Sequence, residues 1–354
     1  METKPNSAMS PAVAISRRRF SAAALLAPLP LTGFMSGCAA PAGPPQPALP
    51  LSVISFGGGF NLPLWAARDQ GFFARHGVAP TLNITADSRQ VFTGLMDGRY
   101  QVAITAFDNI VAYQEGQGEL KFDPPSDFFG FMGSDDGFLS LVAAPEVKSF
   151  ADLRGRTISV DAMSNGFSFA LREMLRRNGI AESEVQWARA GGTDRRFAAL
   201  MERQHAATML RAPFGIQARN RGFNQLATTR EAIGPYLGIV GAARRSWAAA
   251  NEPALVGFIR GYRDAVRWLE APSNRPAAEA LLMANVPGMP AQVARQSCEL
   301  LLDARTGFFS DVRLDPQGVQ AVLALRSRLG EPPRALTQPD KYIDERYWRR
   351  AMAG

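Results

Sequence analysis

The chain has 354 residues, of which 46% are hydrophobic, and its formal net charge is +7 at pH 7. Basic and acidic residues are interspersed along its length, so no run of positive charge predicts a nucleic-acid-binding surface. The sequence has two cysteines and two histidines, which excludes a disulfide framework and a histidine-rich metal site.

The N-terminal 37 residues have the pattern of an export signal. Three arginines at 17–19 precede an apolar stretch at 22–35, which two prolines interrupt and which is too short to span a bilayer. The stretch ends at Ser36-Gly37-Cys38. This order resembles a twin-arginine signal joined to a lipobox, as in bacterial lipoproteins that are exported folded and lipidated on cysteine. An uncleaved anchor and an accidental basic leader are the alternatives.

By that resemblance, residues 1–37 are removed and Cys38 carries the lipid. The removed segment has four basic residues and one acidic residue, so the formal charge of the mature chain falls from +7 to +4. Residues 38–50 are rich in proline, which predicts a semi-extended tether between the lipid anchor and the folded body. We therefore expect a membrane-anchored protein in the periplasm.

Strand-like and helix-like segments alternate from residue 51 onwards. The predicted strands of the first unit are 51–56, 80–85 and 100–105. Helices are expected to begin near Pro63, after Asp87 or Ser88, and at Asp108. This βαβ order predicts a parallel sheet.

The same order restarts after residue 149. Its predicted strands are 156–160, 185–188 and 206–210, and Ser164 or Asn165 caps the first helix. After a segment at 236–240 the chain is largely helical. We predict that the chain passes between two lobes near 143–150 and 228–236, and that the helical tail wraps around the first lobe. The predicted bounds are 51–144 with 236–354 for lobe 1, and 145–235 for lobe 2.

Four sequence blocks resemble one family. Residues 64–78 (LWAARDQGFFARHGV) are similar to the opening of periplasmic solute-binding proteins of ABC importers, of the nitrate, sulfonate, taurine and thiamine-pyrimidine binding type. Blocks at 95–104, 150–156 and 191–201 extend the resemblance, which covers about residues 51–270. It implies a type II periplasmic-binding fold, with α/β lobes that each contain a mostly parallel sheet and with two crossovers between them.

The resemblance also implies a function. It predicts a monomer without a cofactor that captures a small molecule between two closing lobes and delivers it to an ABC permease and ATPase complex. A sensor partner that reports the ligand to a receptor is one alternative. An enzyme related to thiamine-pyrimidine synthases is a less favoured one, because no HExxH, CxxC, phosphate-loop or GxSxG motif occurs. Cys298 lies in a helical pattern and is expected to be a buried apolar residue.

Ligands of open parallel sheets bind beyond the carboxyl ends of the strands. The candidate ligand-binding residues at these ends are Phe56, Phe60, Asn61, Asp87, Ser88, Phe107, Asp108, Asn109, Ser164, Asn165, Phe167, Gly192, Thr193 and Arg211. The phenylalanines would stack on a flat ligand if they line a cleft, but they are equally compatible with a core. Helix capping is the commoner role for the two aspartates.

Two features of this set favour different ligands. Its phenylalanines and aspartates favour a small heteroaromatic ligand with N–H groups, held by Asp108 and Asn109 from lobe 1 and by Ser164, Asn165 and Thr193 from lobe 2. Arg211 favours a carboxylate or phosphate instead. A flat heterocycle, a sulfonate, nitrate and a carboxylate therefore all remain open.

Overall fold

A computed structural model describes residues 48–353 of the chain. Within this described part of the chain, ten strands form two separate five-stranded sheets. The strands are β1 Leu49–Phe56, β2 Val78–Thr85, β3 Val102–Ala106, β4 Phe128–Asp135, β5 Ser140–Ala143, β6 Thr157–Val160, β7 Gln186–Arg189, β8 Ala207–Leu210, β9 Asn224–Thr228 and β10 Ile239–Arg244.

Between residues 48 and 353, fourteen α-helices pack around the sheets. They are α1 Leu62–Asp69, α2 Phe72–Arg75, α3 Ser88–Met96, α4 Phe107–Gln114, α5 Gly166–Arg177, α6 Thr193–Met201, α7 Phe214–Asn220, α8 Thr229–Ile233, α9 Arg245–Ala250, α10 Glu252–Glu270, α11 Arg275–Asn285, α12 Ala291–Leu301, α13 Pro316–Leu329 and α14 Arg346–Met352. Side-chain caps begin four of these helices, at Asp87, Asn165, Thr228 and Asp315. Asp87 accepts a hydrogen bond from the backbone N–H of Arg89, and Asn165 accepts one from that of Ser168, both at 2.9 Å.

Each sheet contains four strands in one direction and one strand that runs against them. The first sheet has the order β2-β1-β3-β10-β4, with β10 antiparallel to both neighbours. The second has the order β7-β6-β8-β5-β9, with β5 antiparallel to both neighbours. In each case the reversed strand is the first one after the chain has crossed from the other sheet. The predicted two-lobed α/β fold is confirmed.

The first crossing lies earlier than predicted. Because β4 belongs to the first sheet and β5 to the second, the chain crosses within residues 136–139, not near 143–150. The predicted crossing rests on the alternation of strands and helices that restarts after residue 149. Strand β5 precedes that alternation and is antiparallel to its neighbours, so it is not part of the βαβ pattern. The chain returns between β9 and β10, within residues 229–238.

The two crossings touch each other at glycines. The backbone N–H of Gly238 donates to the carbonyl of Asp135 at 3.0 Å. A Cβ on Gly238 would overlap the backbone of Gly137. The close approach of the two connecting segments therefore depends on a residue without a side chain at position 238.

The helical tail covers more than the first lobe. Helix α10 buries Leu255, Phe258 and Tyr262 against α1, α2 and the first sheet, as its spacing predicts. Helix α13, however, packs on α4 of the first lobe and on α5 of the second. The tail thus packs on lobe 1 and, through α13, also joins an apolar core that contains residues of both lobes.

The predicted signal, residues 1–37, and Cys38 lie outside the described residues. The predicted tether ends earlier than residue 50, because Leu49 and Pro50 already pair with Val78 and Ala79 in the first sheet. Between residues 48 and 353, no helix is both long enough and apolar enough to cross a membrane.

Candidate ligand-binding site

The carboxyl ends of strands from both sheets meet where the lobes touch. The backbone N–H of Gly59, beyond β1, donates to the carbonyl of Ala212, beyond β8, at 3.3 Å. Beside this contact, the guanidinium carbon of Arg211 lies 4.0 Å from the centre of the Phe60 ring and 5.8 Å from that of Phe167. Phe60 belongs to the first lobe and Phe167 to the second, so the structure brings these three predicted residues together at the interface.

Arg211 is almost fully buried but makes few hydrogen bonds. Its side chain follows β8 directly, and its Nε donates to the carbonyl of Gly137 at 2.8 Å. Its Nη2 is buried and has no hydrogen-bond partner. Burial lowers the pKa of Arg211, and the nearby charge of Asp135 acts in the opposite direction. A buried donor without a partner is costly, so this guanidinium is suited to an incoming acceptor.

The acid nearest to Arg211 is Asp135, the last residue of β4. Asp135 is fully buried, and its Oδ1 accepts a hydrogen bond from the Gly137 backbone N–H at 2.7 Å. The same oxygen lies 3.8 Å from Nη2 of Arg211, which is too far for a hydrogen bond. Burial raises the pKa of Asp135 to about 6, although Arg211 lowers it. Asp135 therefore changes charge near neutral pH.

Arg196 and Asp161 are among the second-lobe side chains that carry buried polar atoms without hydrogen-bond partners. Arg196, in the first turn of α6, donates from Nη2 to Thr193 Oγ at 3.1 Å, but its Nε has no partner. Oδ1 of Asp161, directly beyond β6, also has none. Burial lowers the pKa of Arg196, and Asp161 raises it. The positive charge of Arg196 also lowers the pKa of Arg211.

Sequence reasoning missed Asp135, Asp161 and Arg196. Asp161 had a usable signal, since it is the first residue beyond a correctly predicted strand. Asp135 resembled part of a turn because Asp136 and Gly137 follow it. Arg196 had no signal beyond its position near Thr193.

Asp108, a predicted ligand contact, is engaged by another part of the chain. It lies in the first turn of α4, and its two carboxylate oxygens accept hydrogen bonds from Nε and Nη2 of Arg326 at 2.6 and 2.5 Å. Arg326 also donates to Gln117 Oε1 at 3.0 Å and to the carbonyl of Ser164 at 2.8 Å. A Cβ on Gly166 would overlap the Asp108 side chain. This buried network connects both lobes to α13.

Most of the predicted asparagine and phenylalanine residues of the first lobe contact groups within that lobe. Asn61 is buried and donates to the Phe56 carbonyl at 2.7 Å, while its Oδ1 accepts a hydrogen bond from Ser55. Asn109 donates to Thr105 Oγ at 3.1 Å. Phe107 is fully buried in the core, and Phe56 is half-buried.

The remaining predicted residues lie at helix starts. Asp87 is exposed and caps α3, of which Ser88 is the first residue. Asn165 caps α5, and Gly192 precedes α6. Capping or preceding a helix is the structural role that the sequence positions of these residues also allowed.

Metal-binding and nucleophilic groups show no constellation in the described part of the chain. Between residues 48 and 353, no three or more His, Cys, Asp or Glu side chains are grouped so that they could hold a metal ion. Cys298 is fully buried, and burial raises the pKa of its thiol to about 12. This thiol is therefore not a reactive thiolate at neutral pH.

Two α/β lobes, joined by two crossovers and in contact at the carboxyl ends of their strands, define the type II periplasmic-binding fold. The chain belongs to the NMT1/THI5 like family, whose model matches residues 61–274. No curated protein sequence matches the chain significantly.

Solved structures resemble this one at low sequence identity. The periplasmic nitrate-binding protein NrtA of Synechocystis PCC 6803 has a TM-score of 0.71 and 14% identity, over 86% of this chain and 89% of that one. The alkanesulfonate-binding protein SsuA of Xanthomonas axonopodis pv. citri, bound to MOPS, has a TM-score of 0.64 and 17% identity, over 83% and 96%. The desulfurization enzyme DSZB has a TM-score of 0.58 and 12% identity, over 85% and 99%. The TM-scores show that these proteins share the fold of this chain.

Proposed function

We propose that this chain is the lipid-anchored, periplasmic solute-binding component of an ABC importer. In this proposal it captures a small polar ligand between its lobes and delivers it to a permease and ATPase complex, as a monomer and without a cofactor. The observation that carries the proposal is Arg211. Its unpartnered donor is buried at the lobe interface, between a ring of the first lobe and a ring of the second.

The mechanism follows from the position of the site. A ligand at Arg211 contacts groups of both lobes only while the lobes are closed, so it shifts an open-to-closed equilibrium by its higher affinity for the closed form. The crossings at Gly137 and Gly238 are the segments about which the lobes would move. The closed form would then be the one that the permease recognises.

The structure favours a division of roles among the predicted site residues. Phe60, Phe167 and Arg211 are assigned to the ligand, and so is Thr193, whose hydroxyl accepts a hydrogen bond from Arg196. Asp108 is assigned to lobe contact, because Arg326 already occupies both of its oxygens. A small, flat and polar ligand suits a site with two rings and a planar guanidinium.

The lipid anchor and the export route are part of the same proposal. Their support is the order of arginines, apolar stretch and Ser36-Gly37-Cys38 in the sequence. The proline-rich segment after Cys38 would hold the lobes away from the membrane, where they can reach a permease.

Native mass spectrometry of protein purified gently from its host tests the capture function. We expect one small molecule per chain, lost on denaturation and able to raise the melting temperature when it is added back. A protein that retains no small molecule, and whose melting temperature no fraction of a host metabolite extract raises, would contradict solute binding.

An enzyme is the second candidate, because the desulfurization enzyme DSZB shares the fold. The two functions differ in the fate of the bound molecule. Release of the retained ligand unchanged after long incubation supports binding, whereas its conversion into a product supports catalysis.

A further inference from the structure

We propose that the ligand carries a planar carboxylate and that Arg211 binds it, which makes Arg211 the residue that selects the ligand. This inference rests on the proposed solute-binding function and adds the chemical class of the ligand.

The first argument is the number of unused donors. A guanidinium has five N–H donors. In Arg211 the Nε donor is used by the carbonyl of Gly137, and Nη2 is buried without a partner. Folding would not leave a buried charged donor unpaired without cost, so a ligand acceptor would complete the site.

The unused N–H donors of Arg211 point in a defined direction. The guanidinium carbon lies over the Phe60 ring, 4.0 Å from its centre, and Nε donates to the carbonyl of Gly137. The unused N–H groups are therefore those of the two Nη atoms, in the plane of the group. Two coplanar acceptor oxygens match this fork, as in a bidentate arginine–carboxylate pair. Two oxygens of a sulfonate or phosphate also meet this fork, but their third oxygen then needs a further donor in a buried site, whereas a carboxylate has only the two.

The third argument is charge. Asp135 and Asp136 neutralise part of the charge of Arg211, Asp135 from 3.8 Å without using its donors, and Arg196 adds a second buried positive charge near the same site. Since Asp135 is protonated more readily than an ordinary aspartate, it accepts a proton when a second carboxylate arrives. The site can thus bind a carboxylate without keeping two negative charges next to each other.

Compounds that differ only in their head group test the proposal. Benzoate is compared with benzamide and benzenesulfonate, and acetate with acetamide, by titration calorimetry on the whole mature chain at constant chloride. We expect each carboxylate to bind at least about tenfold more tightly than its amide, and benzoate more tightly than benzenesulfonate. If neither carboxylate exceeds its amide, or if the sulfonate equals benzoate, the proposal is wrong.

Variants of Arg211 connect this preference to one side chain. Arg211→Gln should weaken benzoate binding on the order of 30-fold or more. Arg211→Lys keeps the charge without the planar fork, so it should retain binding but lose the preference for benzoate over benzenesulfonate. Arg221→Gln is the matched control, because Arg221 also lies over a ring, that of Phe197 at 5.6 Å, but is exposed on the surface of the same lobe.

The results separate this inference from the function on which it rests. Melting temperatures of the ligand-free variants show whether each is folded, and the lysine variant remains informative if the glutamine variant does not fold. A retained neutral ligand whose affinity is the same in Arg211→Gln would overturn the carboxylate and leave solute binding intact. A chain that binds no small molecule at all would overturn solute binding itself.

Discussion

Arg326 and Asp108 are separated by 218 positions in the sequence, yet they form a two-point ion pair in which both side chains are buried. The same guanidinium donates to the carbonyl of Ser164 in the second lobe at 2.8 Å. A helix of the C-terminal tail thereby connects the first turn of α4 with the loop that precedes α5. The lobes are thus linked by side chains as well as by the two crossings.

Loss of this ion pair should destabilise the chain strongly. We expect Arg326→Met to lower the free energy of unfolding by about 3–5 kcal/mol, because it leaves the carboxylate of Asp108 buried and unpaired. The double variant Arg326→Met with Asp108→Leu should be more stable than the single variant, since it removes both charges. Urea unfolding measures both effects.

Arg328 supplies the control on the same helix. It is partly exposed and pairs with Glu173, which Arg176 and Arg177 also contact. Arg328→Met should therefore cost about 1 kcal/mol or less. Equal losses at positions 326 and 328 would show that the buried pair has no special role.

Asp135 should make stability depend on pH in a particular direction. Its pKa is about 6 in the folded chain because of burial, against about 3.9 in an unfolded chain, so the folded state binds the proton more tightly. Its contribution is fully present below about pH 4 and is lost as the pH rises through 6, by about 3 kcal/mol at most. Asp135→Asn cannot lose a proton and should lack this decline.

The measurement is the difference in free energy of unfolding between the wild type and Asp135→Asn, at intervals from pH 4 to 7.5. Asp87→Asn is the control. Burial raises the pKa of Asp87, but hydrogen bonds with Arg89 together outweigh this effect and lower it, so its contribution changes only below about pH 4 and its difference should stay constant across this range. A difference for Asp135 that does not change across this range would contradict the raised pKa.

Gly238 should not tolerate a methyl group. In Gly238→Ala the new Cβ would meet the backbone of Gly137, which cannot move as a flexible side chain can, so we expect a loss of about 1–3 kcal/mol. Gly57→Ala is the matched control, because its Cβ would make only an ordinary contact with Ile84 at 3.8 Å. Thermal or urea unfolding of both variants provides the comparison. Equal stability of the two would show that the crossings have room to separate.

The export signal proposed for the N-terminal segment predicts where the protein is found in the cell. Replacement of Arg17 and Arg18 by lysine should retain the protein in the cytoplasm, because twin-arginine export requires the arginine pair. Cys38→Ala should instead let it reach the periplasm without a lipid, so that it leaves the membrane fraction. Cell fractionation with immunoblotting checks both, and full export of the double lysine variant would exclude the twin-arginine route.

Local features of this fold were predictable from the sequence, whereas long-range pairings were not. The caps at Asp87 and Asn165 and the parallel strands β6 to β8 follow from signals within a few residues. Strand β5 was assigned to the wrong side of the crossing, because its pairing with β8 and β9 has no local signal. The same holds for the site. Arg211 was identifiable beyond a strand end, but the Arg326–Asp108 pair depends on a contact that only the folded chain reveals.

Closure of the lobes on a ligand at their interface is best tested by measuring the distance between the lobes with and without that ligand. Spin labels on cysteines at the exposed positions Arg89, in the first lobe, and Arg221, in the second, report this distance by pulsed electron paramagnetic resonance. In a Cys38→Ala background only these sites should react, because Cys298 is buried. We expect that adding the retained ligand back to ligand-free protein converts the distribution of distances between the two labels into one narrower population at a shorter distance. An unchanged distribution with the ligand bound would contradict it.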